Sequence, residues 1–206
     1  MKTCLIITGG DFDEFVPEEQ FEYVIACDKG FEYAKRMSIT PDVIIGDFDS
    51  SKEPCDSSIP VIKAPKEKDD TDTMLAIRHA LDKGFRHITI LCGLGKRFDH
   101  TLSNIQSAAF VAKAGGICEI IGSDERIRTL TASDGTLILP ADDKRSLSVF
   151  SLSDECRGLT IKGSAYDCSD ITLRNTFPLG QSNAFRLDEV SIKIQSGIAL
   201  IVNSAL

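Results

Sequence analysis

HITILCGLGKRFDHTLSNIQSAAFVAKAGGICEIIG, residues 87–122, holds two apolar runs with a helical pattern between them. HITILC (87–92) and CEIIG (118–122) are rich in Ile and show no sustained polar alternation. Strands buried on both faces read this way, as in a parallel sheet covered by helices. Thr101 to Ala114 has the helical period and stops at Gly115-Gly116. A strand, a helix and a strand in succession point to an open α/β layer fold. Upstream, CLIIT (4–8), YVIAC (23–27), DVIIG (42–46) and PVIKA (60–64) repeat the strand signal. Thr71 to Leu81 repeats the helix signal, with Met74, Ile77 and Leu81 on one stripe. Asp70, Thr71 and Asp72 are N-cap candidates for that helix, and Gly84 is its stop.

Beyond about residue 130 the helical period ends. Val190, Ile192 and Ile194 alternate with Ser191, Lys193 and Gln195, and a Ser196-Gly197 turn leads into Ile198 to Val202. TLIL (136–139), LSVFSL (147–152), LTIKG (159–163) and ITL (171–173) are further short strands at hairpin spacing. The expected organisation is an α/β domain with a mostly parallel sheet over 1–127, then an all-β sandwich over 128–206. The second part is small for an independent domain, so it is expected to pack on its neighbour or on a second subunit.

The 206 residues carry 31 Asp and Glu against 23 Lys and Arg, a formal charge of −8. Six of that excess fall in residues 1–130. A chain short of cations is a poor partner for nucleic acid, whose binding rests on counterion release. No apolar stretch is long enough for a membrane-spanning helix. Seven Cys occur without a C-x-x-C pair, and Cys4, Cys27, Cys92 and Cys118 lie in strand-like runs. They read as reduced, packed thiols of a cytoplasmic protein rather than as disulfides or a zinc site.

The acids gather at predicted strand ends, where doubly wound sheets bind ligands. Asp28 follows YVIAC, and Gly30 allows a turn into the next helix. Asp47 and Asp49 in IIGDFDS are two residues apart, so in extended chain both carboxylates share one side. Converging carboxylates favour a cation between them, and Mg²⁺ suits hard oxygen ligands. Asp69, Asp70 and Asp72 crowd a helix start, with Lys68 beside them to neutralise phosphate oxygens. Capping explains one or two of these acids, not all three. Gly93 and Gly95 lead through Lys96, Arg97, Asp99 and His100 into a helix; such glycines admit an anion, and Arg97 can grip phosphate with two donors. No P-loop spacing occurs. His79 and His87 read as structural or surface residues. The set suits Mg²⁺–nucleotide chemistry, in which positioning and charge neutralisation dominate.

With CDKG (27–30), PDVIIGDFDS (41–50), KDDTDT (68–73) and GLGKRFDHTLSN (93–104), together with RGLTIKG (157–163) and GQSN (180–183), the chain resembles the bacterial thiamin pyrophosphokinase (thiamin diphosphokinase) family. The resemblance implies a homodimer with active sites between subunits. It also implies transfer of the diphosphoryl group of ATP to thiamin, giving thiamin diphosphate and AMP. It makes Asp47, Asp49 and Asp72 the Mg²⁺ acids. Asp28, Lys68, Asp69, Gly93, Gly95 and Arg97 fall on the ATP side, with Asp72, Arg97 and Asp99 as the catalytic set. Tyr166, Ser182 and Asn183 fall on the thiamin side. Lys29 and Lys96 stand where the family often has Gly, Tyr166 where many members have Trp, and Gln181 enlarges a small-residue turn. The same chemistry on another heterocyclic alcohol, such as a hydroxymethyl pterin, and a nucleotide-binding regulatory module are the competing readings.

Overall fold

The computed structural model describes residues 1–47, 58–64 and 69–206. The chain divides into two compact units, Met1–Ser123 and Asp124–Leu206. The expected boundary after residue 127 therefore runs through a strand of the second unit.

In the first unit the strands are β1 (Thr3–Ile7), β2 (Tyr23–Cys27), β3 (Val43–Gly46), β4 (Val61–Lys63), β5 (His87–Leu91) and β6 (Ile117–Ile121). The helices are α1 (Gly30–Arg36), α2 (Asp72–Asp82) and α3 (Phe98–Lys113). Strand order is β4-β3-β2-β1-β5-β6, and every pairing within this set is parallel. Successive strand residues face opposite sides. Leu5 and Ile7 pack with Tyr33, Ala34 and Leu91, while Cys4 and Ile6, on the other face, are equally inaccessible. Burial on both faces explains why these strands read as unbroken apolar runs. β4 departs from that expectation: Val61, Ile62 and Lys63 are all exposed. It is the terminal strand in the order, with β3 as its neighbour.

Thr71 caps α2, its hydroxyl accepting the Met74 N–H at 3.2 Å. Lys83 ends it and Gly84 follows with φ +86°, where glycine is at ease. The structure starts α3 at Phe98 rather than Thr101. The extra turn escaped the periodic reading because its apolar residues do not face a core: Phe98 and Leu102 are exposed. His100 and Thr101 both donate their N–H to the Arg97 carbonyl, which closes that turn, and Asp99 there is favoured by the helix dipole.

The second unit is all β apart from one short 3₁₀ turn, Ala132–Asp134. Its strands are β7 (Glu125–Thr131), β8 (Leu137–Pro140), β9 (Arg145–Ser151), β10 (Glu155–Lys162), β11 (Cys168–Arg174), β12 (Glu189–Lys193) and β13 (Ile198–Ala205). β13 pairs antiparallel with both β7 and β9. The order β11-β10-β12-β8 forms a separate four-stranded antiparallel sheet. Leu130, Val149 and Ile201 from the first set meet Ile161, Val190 and Ile192 from the second in one core. Two sheets closed over a shared apolar layer make a sandwich. Val190, Ile192 and Ile194 are buried, as the alternation of that segment requires.

Candidate active site

In the order β4-β3-β2-β1-β5-β6 the chain builds outward from β1 in one direction, then returns to β1's other side with β5. The gap between β1 and β5 is a topological switch point, where the loops beyond the two strands diverge. A cleft of about 700 Å³ opens there. One wall is the segment after β1, Thr8 to Asp11; another is the segment from Gly93 to Asn104. Asp28 and Lys29, after β2, and the start of α2, with Asp72, complete it.

Of the residues singled out in the sequence, Asp28, Asp72, Gly93, Gly95, Arg97 and Asp99 line this cleft. Asp28 sits at φ +46°, its N–H donated to the Ile45 carbonyl at 3.1 Å. Its carboxylate lies over Gly46 so closely that a Cβ there would stand 1.9 Å from Oδ1. The last residue of β3 must therefore be a glycine if Asp28 is to keep this position. Arg97 donates through both Nε and Nη2 to the Asp99 carboxylate, the shorter bond being 2.7 Å. That bidentate bond holds the Asp99 carboxyl below the usual aspartate range and raises the Arg97 guanidinium. The side chains are 71% and 65% exposed, so the pair presents charge to the cleft rather than burying it.

The turn from Gly93 to Arg97 is ordered by side chains. Asn104 donates to the Gly93 carbonyl at 2.7 Å. The Gly95 N–H goes to Thr101 Oγ1 at 3.2 Å, and the Lys96 N–H to Asp11 Oδ2 at 2.8 Å. The Gly95 amide, expected to approach an anion, and the neighbouring Lys96 amide are thus used within the protein. The positive groups the turn offers the cleft are the Arg97 side chain and the field of α3.

Asp69 lies instead in an adjoining groove between α2 and α3. Asp70 pairs with Arg78 at 2.9 Å. Asp47 directly follows β3, at the strand end next to Asp28's, and is half-buried. Asp49 and Lys68 lie outside the described residues. Among the described residues no three His, Cys, Asp or Glu side chains are grouped as a metal site. The acids at these strand ends nonetheless offer the hard oxygen donors that fit Mg²⁺, whereas the nearby thiols Cys27 and Cys92 are buried. His79 meets the Tyr23 hydroxyl at 3.2 Å and stacks on its ring, and burial, with Lys83 nearby, lowers its pKa. His87 stands 3.6 Å from Glu119. Both are structural.

Thr8, Gly9, Gly10 and Asp11 line the cleft without having been singled out as ligand contacts. The signal for Asp11 was available: it is one more acid just past an apolar strand, CLIIT, followed by glycines.

In the β unit, Tyr166, Ser182 and Asn183 come together. Asn183 Oδ1 accepts the N–H groups of Tyr166 and Ala184, at 3.0 and 2.9 Å. Its Nδ2 donates to Ser164 Oγ and to the Tyr166 carbonyl, each at 3.1 Å. The amide's two donors and two acceptor positions are all used, so Asn183 shapes the turn that carries Tyr166. Tyr166 itself is 75% exposed. Ser182 has φ +57° and gives its N–H to Ser148 Oγ at 3.0 Å.

Fold and cleft define a class: an α/β unit with a carboxylate- and arginine-lined cleft at the switch point of a parallel sheet, followed in the chain by a β-sandwich. Residues 16–118 match the thiamin pyrophosphokinase catalytic domain. Residues 136–199 match the thiamin pyrophosphokinase vitamin B1 binding domain. The chain belongs to the thiamin pyrophosphokinase family and is an enzyme. It is 28% identical to the thiamine pyrophosphokinase of Bacillus subtilis over 216 residues, 99% of each chain. The crystal structure of thiamine pyrophosphokinase from Bacillus subtilis superposes with a TM-score of 0.88 at 26% identity, covering 100% of both chains. The solved structure of thiamin pyrophosphokinase from Candida albicans shares the fold, with a TM-score of 0.76 at 14% identity over 98% of this chain and 89% of that one.

Proposed function

We propose that the chain makes thiamin diphosphate by moving the β,γ-diphosphoryl group of ATP to the hydroxyethyl oxygen of thiamin, releasing AMP. The observation that carries this reading is the convergence of Asp28, Asp72, Arg97 and Asp99 on one cleft at the switch point of a family member's sheet. The thiamin oxygen attacks the β-phosphorus, the bond from that phosphorus to the α,β-bridging oxygen breaks, and AMP leaves with the electron pair. The hydroxyl is a poor nucleophile, so its proton passes to a carboxylate, Asp72 or Asp99. The pairing with Arg97 weakens Asp99 as an acceptor. Arg97 spreads charge developing on the phosphoryl oxygens, Asp28, Gly93 and Gly95 line the path of the nucleotide, and Asp69 and Lys68 are assigned to its phosphates by the family resemblance alone. Asp47, Asp49 and Asp72 would hold Mg²⁺, which would supply positive charge to offset that of the phosphates.

On the thiamin side, Tyr166 offers a ring face to the thiazolium cation, with Ser182 and Asn183 supporting its turn. The chain acts as a homodimer whose active sites draw on both subunits. Incubation with thiamin, ATP and Mg²⁺ is expected to yield AMP and thiamin diphosphate in equal amounts. ADP with thiamin monophosphate would overturn the diphosphoryl assignment.

A further inference from the structure

Asp11 takes no part in the scheme above, yet it joins two walls of the cleft. Its Oδ2 accepts the N–H of Lys96 at 2.8 Å, from a residue 85 positions away. The approach depends on the next residue back: a Cβ on Gly95 would stand 2.7 Å from the same oxygen and 2.8 Å from its carboxyl carbon. Thr101, inside α3, holds the Gly95 N–H from the other side. The backbone entering Arg97 is therefore gripped both by its own helix and by the segment after β1.

That segment is itself firmly seated. Thr8 Oγ1 donates to the Cys92 carbonyl at 2.6 Å. The Tyr33 hydroxyl donates to the Gly10 carbonyl at 2.9 Å. Asp13 accepts the Ser123 N–H at 2.7 Å and its hydroxyl at 2.5 Å, at the end of β6. Asp11 is fixed on both sides by bonds to three other elements, so it can serve as a rigid post.

A carboxylate accepting an amide N–H makes one of the stronger hydrogen bonds available to a loop. Beside a polyphosphate site it also brings an unfavourable negative charge. Its place is explained if the turn it secures is worth more than the repulsion. We propose that Asp11 is a positioning residue: it fixes the Gly93–Arg97 turn so that the Arg97 guanidinium meets the phosphates of the nucleotide. The inference rests on the phosphate-binding reading of the cleft.

The test compares Asp11→Ala, Asp11→Asn, Gly95→Ala and the Asp11→Ala/Gly95→Ala double variant, reading steady-state kinetics and hydrogen exchange at the Lys96 amide. Asp11→Ala is expected to raise KM for ATP about ten-fold, to lower kcat, to leave KM for thiamin unchanged, and to expose the Lys96 amide. Asp11→Asn, whose amide oxygen still accepts the bond, restores most of both readouts. Gly95→Ala behaves like Asp11→Ala, and the double variant is no worse than either, because both changes break one contact. Wild-type ATP kinetics in Asp11→Ala, an equal loss in Asp11→Asn, or additive effects in the double variant overturn the inference. If the wild type forms no AMP, the proposed reaction fails; Lys96 protection, lost in Asp11→Ala and kept in Asp11→Asn, then still decides whether Asp11 holds the turn.

Discussion

The strand ends of the α/β unit and the Ser164–Asn183 turns of the β unit put their polar side chains to opposite ends. At the strand ends, charge is left facing the cleft: Arg97 and Asp99 bond to each other and stay largely exposed. In the β unit the polar groups turn inward, and Asn183 spends its whole amide on the turn while an aromatic ring stands outside. On the proposed reading, the first region would meet its ligand by charge and the second through the exposed Tyr166 ring. A hydrogen-bonding side chain near a site is thus to be judged by what capacity it has left.

Removing a charge and loosening a shape should have separable consequences. Arg97→Ala is expected to lower kcat/KM about a hundred-fold, the scale of losing one electrostatic contact to a charged transition state. KM for thiamin should hardly move; equal damage to both substrates would erase the division of labour. Asn183→Ala leaves Tyr166 unsupported and should raise KM for thiamin about ten-fold with ATP kinetics unchanged. A shift in ATP kinetics instead would break the comparison from the other side.

Gly46→Ala drives a methyl into the Asp28 carboxylate. The expected cost is about 1–3 kcal/mol, as for overpacking elsewhere, read as a lower denaturant midpoint together with weakened activity. The smallest effect concerns Asp99. Its folded pKa is depressed by the Arg97 bond, so the pair's contribution is present above the ordinary aspartate range and is lost as pH falls through the lowered value. Carboxyl ¹³C titration should place Asp99 below that range, and Arg97→Ala should return it upward. An unmoved titration would show that the ion pair does not hold in solution.

Much of the fold was legible because burial leaves a mark on sequence. The six parallel strands are matched within about two residues by apolar runs, since most have both faces covered. Exposed β4 was still matched, but two other segments with poor burial or mixed polarity were not. The first turn of α3 shows its apolar residues to solvent, and the strand Glu125–Thr131 went unnamed because charged and polar residues interrupt it. The strand-end acids were found by position along the chain. Asp11 carries the same strand-end signal, but its bond to Lys96, 85 positions away, does not show in the sequence, and neither does the Asn183 network, which closes across 17 and 19 residues. Such contacts exist only once the turns have formed, and no local pattern announces them.

Asp28 and Ser182 share a backbone trait: each is a non-glycine residue at positive φ, +46° and +57°. A glycine would occupy either conformation without the steric cost of about 1–3 kcal/mol that such geometry carries for other residues. Selection for heat resistance alone would then drift toward Gly at 28, discarding a carboxylate from the cleft in exchange for a calmer corner. With Asp28 serving the nucleotide as proposed, this position sets activity against thermostability, and an engineering programme that scores only melting temperature would trade the first for the second.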